Sequence, residues 1–301
     1  MKLHKIFLFL SLLLVIGNFG CQNKKSLTIK PSVSVSILPL KYIVDKLTDS
    51  TFDVNVMVPP GSSPEMYEPS PVQMKNITNS SVYFAVGPLE FENSILPKIK
   101  ELNPTIRFVK LSDGINLLEG HKHHEIMGEE EHQICYDPHI WTSTSEFKQM
   151  VANTYNILSE IYPDLKSQLN KNFIKLEDDI DSLDQNIKEV VSKAKTKNFI
   201  IYHPALTYLA KEYNLNQIAI EEDGKNPSAQ KMTNLVKLSK SEGIKYIFIQ
   251  SQFDSHNAEI VAGELDGQIL TIDPLGYDWL KNMNDLCNKL AIALKVNSEH
   301  E

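Results

Sequence analysis

Short apolar runs recur along the chain, and the segments between them are long enough to form helices. Most are nearly continuous, which is typical of strands buried on both faces of a parallel sheet. Helix candidates such as 39–48 and 228–242 lie between them. This alternation predicts an α/β fold with two Rossmann-like parallel-sheet lobes. The predicted strands are 33–38, 54–58, 82–86 and 107–111 in the first lobe, and 199–203, 217–220, 246–249 and 269–272 in the second.

A long amphipathic segment, 164–195, separates the two groups of strands. Its apolar residues follow steps of three and four, which predicts one apolar stripe on a long helix. The stripe could form a coiled-coil dimer seam, but we favour a rigid linking helix that buries the stripe against both lobes of a monomer. The predicted domains are an N-terminal lobe 31–160, a linking helix 161–197 and a C-terminal lobe 198–301. The stripe consists of Leu165, Leu169, Phe173, Leu176, Ile180, Leu183, Ile187 and Val190.

The first thirty residues have the pattern of an export signal. Lys2 and Lys5 precede an apolar run, 6–16, that is too short to span a bilayer comfortably. We predict a signal peptide over 1–20, lipidation of Cys21 and a polar tether over 21–30, so that the lipid holds an exported protein at the membrane. This places it in the periplasm or on the outer face of the cell membrane. An ordinary secretory signal is the alternative.

Charge and cysteine content narrow the functional classes. The 301-residue chain carries a net charge of −8 and a single arginine, Arg107, so a nucleic-acid partner is not expected. We predict that Cys135 and Cys287 are free and partly buried. A thiolate ligand from Cys135, four residues before His139, is a minor alternative.

Four acidic or histidine side chains stand beside turn signals near predicted strand ends. They are Glu65 in PEMYEP, His139 in DPHIW, His203 in YHPALTY and Asp273 in DPLG. Ligands of open parallel sheets bind outside the carboxyl ends of the strands. Imidazole nitrogen and carboxylate oxygen are ligands of divalent transition metals. We therefore predict one metal site between the lobes, although His203 alone could be structural and Asp273 alone a turn residue.

Two further features bear on this site. Asp137 could orient His139 or form an Asx-type turn. The segment 119–133, EGHKHHEIMGEEEHQ, lacks apolar periodicity and is predicted to be a mobile surface loop. Its histidines would capture metal weakly and raise its concentration near the cleft, unless the segment is only a solvated linker. They are His121, His123, His124 and His132.

Taken in order, several motifs resemble the zinc/manganese class of solute-binding lipoproteins that serve ABC importers. They are PGSSPEMYEPSPVQM, VYFAVGPLEFE, the His-rich segment, DPHIWTSTSEFKQM, IIYHPALTYLAKEYNL, EEDGKNPSAQ, IFIQSQFD and TIDPLG, and they span about residues 33–294. The resemblance implies two α/β lobes joined by a long helix, with the metal between them and an ABC permease as partner. His139, His203 and Asp273 match metal-binding positions of the family, whereas Glu65 stands where the family usually has histidine. This departure leaves Zn²⁺ with Mn²⁺ or Fe²⁺ as alternatives, and the His-rich segment favours Zn²⁺.

Other classes of function have weaker support. A secreted metalloenzyme would need a motif such as HExxH, but Gly128 stands where its second histidine belongs, and GxSxG and P-loop motifs are missing. We therefore expect a binding protein and not an enzyme. A surface adhesin is a further alternative.

Overall fold

The computed structural model describes residues 30–120, 135–221 and 227–296. The predicted signal peptide, Cys21 and the four histidines of the His-rich segment lie outside the described residues, and so does most of the tether. Of the helices within these three ranges, none combines the length and apolarity needed to span a bilayer.

The first lobe is built on a four-stranded parallel sheet with the order β2-β1-β3-β4. In register, Val33 pairs with Val54 and Ser34 with Tyr83. β3 is buried along its whole length, as expected for a strand covered by helices on both faces. Chain order in this lobe is β1 (Ser32–Val35), α1 (Leu38–Thr48), β2 (Asp53–Val56), α2 (Pro71–Ile77), β3 (Val82–Ala85), α3 (Glu90–Leu102), β4 (Arg107–Lys110) and α4 (Thr144–Ile161).

The second lobe repeats this arrangement with the sheet order β6-β5-β7-β8, again entirely parallel. Each of the eight predicted strand runs overlaps one of the observed strands, so the prediction of two parallel-sheet lobes is confirmed. The elements of the second lobe are β5 (Asn198–Ile201), α6 (Thr207–Glu212), β6 (Asn216–Ala219), α7 (Ala229–Glu242), β7 (Tyr246–Gln250), α8 (His256–Glu264), β8 (Gln268–Ile272) and α9 (Trp279–Ala293).

The long linking helix is α5 (Lys166–Ser192), preceded by one 3₁₀ turn, Pro163–Leu165. Its 27 residues give a length of about 40 Å at 1.5 Å per residue. Its apolar stripe packs against α1 and α4 on one side and α9 on the other. The stripe is therefore buried within one chain, which explains the periodicity without a coiled-coil partner. Its buried residues are Leu169, Leu176, Ile180, Leu183, Ile187 and Val191.

One continuous apolar core joins the lobes. It runs from the first sheet past α5 to Phe199 and Phe248 of the second sheet. Where α4 meets α9, the rings of Phe147 and Trp279 stack with centroids 3.6 Å apart. A second apolar cluster covers the other face of the second sheet, from Ile200 to Leu265. The shared core makes the described residues from Pro31 onward one compact unit.

Both remaining cysteines are free, as predicted, but their burial differs. Cys287 is buried in α9, whereas Cys135 is exposed, so the prediction of partial burial is wrong for Cys135. Cys135 begins the described segment that leads to Asp137, next to Tyr136, which forms a single antiparallel bridge with Glu119.

Candidate metal centre

Glu65 lies on the connection between β2 and α2. Pro64 and Glu65 open a 3₁₀ turn, Pro64–Met66, and the Ser63 hydroxyl accepts a hydrogen bond from the Glu65 N–H at 3.4 Å. The turn places the Glu65 carboxylate, which is 22% exposed, at the carboxyl edge of the first sheet.

His139 is held by the residue two positions before it. Asp137 Oδ1 accepts hydrogen bonds from the His139 backbone N–H at 2.8 Å and from its Nδ1 at 2.9 Å. Both proposed roles of Asp137 therefore occur together, the Asx-type turn and the orientation of the ring. Burial raises the pKa of Asp137, but the charge and hydrogen bonds of His139 outweigh it and lower the pKa. Since an ionised carboxylate can only accept, the His139 proton sits on Nδ1 and Nε2 faces the centre.

His203 directly follows β5 and is held in the same way. Its Nδ1 lies 3.1 and 3.2 Å from the two carboxylate oxygens of Glu221, which follows the neighbouring strand β6. The His203 ring also stacks on Phe253, with centroids 4.8 Å apart. Sequence reasoning missed Glu221. The available signal was an acid beside a strand end, on the strand adjacent to the one that carries His203.

The three side chains converge on one point. The two Nε2 atoms lie 3.3 Å apart, and Glu65 Oε1 lies 3.3 Å from His203 Nε2 and 3.6 Å from His139 Nε2. Ligand atoms about 2.05 Å from a tetrahedrally coordinated zinc are about 3.3 Å apart. The arrangement therefore matches one face of a zinc tetrahedron. Glu65, His139 and His203 form the group of potential metal ligands found among the described residues.

The electrostatics of this cluster favour a cation. Burial lowers the pKa of His203, but the hydrogen bonds and charges of Glu221 and Glu65 raise it more, to about 9. Two neutral imidazoles with facing Nε2 lone pairs would repel each other and also the Glu65 carboxylate. A proton relieves this repulsion in the metal-free protein, and a divalent ion relieves it more completely. The outer carboxylates of Asp137 and Glu221 orient and polarise the imidazoles, as is common for metal-binding histidines.

Asp273 lies outside this cluster. It follows β8 as predicted, but its side chain is exposed and its Oδ1 accepts a hydrogen bond from Gln252 Nε2 at 3.1 Å. It lines a neighbouring pocket of about 240 Å³ between Pro59–Ser62 and Gly276. The structure thus brings together three of the four predicted ligands, and the role of Asp273 as a ligand stays a prediction. Cys135 is also outside the cluster.

The segment that carries His139 is fastened to the second lobe. Tyr208 donates to the Asp137 carbonyl at 2.9 Å, the Trp141 indole to the Pro274 carbonyl at 3.0 Å, and the Thr142 hydroxyl to the Ala205 carbonyl at 3.1 Å. These bonds hold the two histidines on one scaffold, although they are 64 residues apart in sequence. Glu65 alone comes from the first sheet.

The sequence matches a family of known proteins. Residues 33–293 match the family described as "ZnuA: Zinc-uptake complex component A periplasmic". The zinc-binding lipoprotein AdcA of Streptococcus pneumoniae is 28% identical over 280 residues, which cover 91% of this chain but 56% of the relative. The high-affinity zinc uptake system protein ZnuA of Bacillus subtilis is 27% identical over 260 residues, covering 82% of this chain and 79% of the relative.

The fold has solved relatives as well. A crystal structure of ZnuA superposes with a TM-score of 0.81 at 30% identity, covering 88% of this chain and 99% of the other. The chain spans a little over half the length of the AdcA proteins that it matches, so it corresponds to one part of those longer proteins.

Proposed function

Because the chain belongs to the family of periplasmic zinc-uptake complex component A proteins, we propose that it binds a divalent transition-metal ion and delivers it to an ABC-type membrane permease. The proposed ion is zinc. Glu65, His139 and His203 are the proposed protein ligands, and Asp137 and Glu221 orient the two imidazoles.

One observation carries this proposal. Two Nε2 atoms and one carboxylate oxygen are spaced at 3.3 to 3.6 Å, which is the spacing of ligands around a single zinc ion. Each imidazole also has its Nδ1 hydrogen bonded to a carboxylate, so the lone pair of Nε2 is free to bind. A merely structural pair of buried histidines would not need three carboxylates around it.

Zinc is favoured over harder ions by the ligand chemistry. Two imidazoles and one carboxylate suit Zn²⁺, while Mn²⁺ and Fe²⁺ accept the same atoms and are the alternatives. The relatives named above as zinc-binding and zinc-uptake proteins support the choice. The auxiliary capture of zinc by His121, His123, His124 and His132 belongs to the same proposal.

The residues around the proposed ligands support a transport function and not a catalytic one. The acids nearest the two histidines, Asp137 and Glu221, are each hydrogen bonded to an imidazole, which suits them to orient ligands and not to act as a general base.

We further propose that the protein is exported, is anchored by a lipid on Cys21 and acts as a monomer. A relative named as a lipoprotein supports the anchor.

The test is metal content with a matched pair of variants. The purified protein, loaded with zinc and dialysed, is expected to hold one zinc per chain by elemental analysis. Glu65→Ala should weaken zinc binding at least tenfold in a competition titration with a chelator, because it removes one of three ligands. Glu68→Ala is the control, since Glu68 is an exposed acid of the same loop outside the cluster. Equal affinities for the two variants would refute the proposed site.

Delivery to a permease is tested in the cell. Deleting the gene should slow growth in medium containing a zinc chelator, and added zinc should restore it. If growth is unaffected and only attachment of cells to a surface changes, the adhesin function replaces transport.

A further inference from the structure

A buried acceptor without a partner lies beside the metal centre. Gln250 ends β7, is 2% exposed, and donates from Nε2 to the His203 carbonyl at 2.7 Å. That bond fixes which end of the amide is the nitrogen. The other end, Oε1, is buried and has no hydrogen-bond partner among the described residues. Burying an acceptor without a donor is costly, so a donor is expected to reach it when the site is in use.

Gln250 lines a small pocket of about 20 Å³, and one water needs about 10 to 15 Å³. His139, His203 and Gln250 line it together with Gln252, and its remaining walls are mainly apolar. Those walls include Pro64, Trp141, Ala205, Phe253 and Leu275.

Within residues 30–120, 135–221 and 227–296, the group of potential ligands leaves one position of a zinc tetrahedron unassigned. Glu65, His139 and His203 supply three ligand atoms, and tetrahedral zinc takes four. Asp273 is exposed and hydrogen bonded to Gln252, outside the group of ligand atoms.

We propose that a water molecule is the fourth ligand of the bound metal and that Gln250 Oε1 accepts a hydrogen bond from it. This inference rests on the proposed metal-binding function. A water bound to a divalent ion is a strong donor, which suits an acceptor that is buried and otherwise unpaired. An amide oxygen accepts a hydrogen bond but is too weak a base to take the proton, so it favours a neutral, exchangeable water at this position. Gln250 is thus a positioning residue that selects a neutral fourth ligand.

Cobalt and azide provide the test. The full chain, loaded with Co²⁺, has visible absorption that reports the coordination of the ion, and azide can replace a bound water but not a protein ligand. We expect one Co²⁺ per chain and a spectral change on addition of azide. Asp273→Asn should retain that change.

Two substitutions at Gln250 separate positioning from structure. Gln250→Met and Gln250→Glu both lose the hydrogen bond to the His203 carbonyl. Gln250→Met also removes the acceptor of the water, so azide should act at about tenfold lower concentration. Gln250→Glu supplies a stronger, charged acceptor, so azide should need about tenfold higher concentration. Gln268→Met, at the exposed start of β8, is the control and should match the unsubstituted protein.

Three other outcomes would contradict the role of the water, the role of Gln250 or the proposed function. If azide has no effect until Asp273 is replaced, Asp273 is the fourth ligand and the inference is wrong. Shifts in the same direction for both Gln250 variants would show that Gln250 only supports the fold. Failure of the unsubstituted chain to bind Co²⁺ or Zn²⁺ would overturn the proposed function itself, which is a different result.

Discussion

Replacing Glu221 by glutamine tests how the outer carboxylates tune the metal centre. Glu221 contacts His203 Nδ1 with both oxygens, at 3.1 and 3.2 Å, and is itself buried. Glu221→Gln keeps the size of the side chain and a hydrogen-bond acceptor but removes the negative charge. Loss of such a partner typically weakens metal affinity 10- to 100-fold, which corresponds to about 1.4 to 2.7 kcal/mol.

The pH at which affinity is measured determines the size of this effect. Burial lowers the pKa of His203, whereas Glu221 and Glu65 raise it to about 9, so a proton competes with metal for Nε2 below that pH. At pH 7 this competition lowers the apparent affinity of the natural protein by about 100-fold. In Glu221→Gln the pKa of His203 falls, and competition weakens. The variant should therefore bind zinc 10- to 100-fold more weakly at pH 9.5, with a much smaller deficit at pH 7.

Competition against a zinc chelator at the two pH values measures both affinities. Glu242→Gln is the control, because Glu242 ends α7 in the same lobe and makes an exposed hydrogen bond to Asn198. NMR titration of the His203 ring in the metal-free Glu221→Gln variant should show a lower pKa than in the unsubstituted protein. A deficit of equal size at both pH values, or none at pH 9.5, would refute this account of Glu221.

Three further predictions concern stability of the metal-free protein, measured by chemical denaturation. Burial raises the pKa of Glu92 from 4.5 to about 7, so the folded state binds the Glu92 proton more tightly than the unfolded state does. The free energy of unfolding should therefore fall by about 3 kcal/mol as the pH rises from 4.5 to 7. Glu92→Gln should remove this dependence on pH. Gly87 has φ +121°, and a Cβ there would collide with the Ser112 hydroxyl. Gly87→Ala should therefore cost about 1 to 3 kcal/mol, while Gly263→Ala in the open part of α8 should be neutral or slightly stabilising. Trp279→Ala removes a buried, stacked indole and should cost about 3 to 5 kcal/mol; a loss below about 1 kcal/mol would show that the core between α4 and α9 contributes little.

Local patterns predicted most of the architecture because they report burial directly. Near-continuous apolar runs such as 82–86 became strands covered on both faces, and steps of three and four along 164–195 became α5. The limits of α5 were less well predicted, because the chain enters it through a 3₁₀ turn at Pro163. Proline is tolerated in the first turn of an α-helix, so Pro163 does not reveal that residues 163–165 form a 3₁₀ turn before α5 begins at Lys166.

Turn and strand-end positions led to the ligand predictions. Each of Glu65, His139 and His203 follows a turn or strand end, where parallel sheets bind ligands, and the structure brings the three together. Asp273 met the same criterion, yet its carboxylate is hydrogen bonded to Gln252 outside the cluster. Glu221 was missed because its role depends on β6 lying beside β5, and strand order is not a local property of sequence.

The sequence by itself determined the alternation of strands and helices, the long linking helix and the kinds of side chain available at the strand ends. These depend on the periodicity of burial and on turn chemistry, which act over a few residues. The tertiary structure decided that two imidazole nitrogens meet 3.3 Å apart and that a separate carboxylate supports each ring. It also decided that Gln250 lies beside them with a buried oxygen. Such distances arise from packing between segments that are far apart in the chain, and a metal centre depends on differences of a few tenths of an ångström.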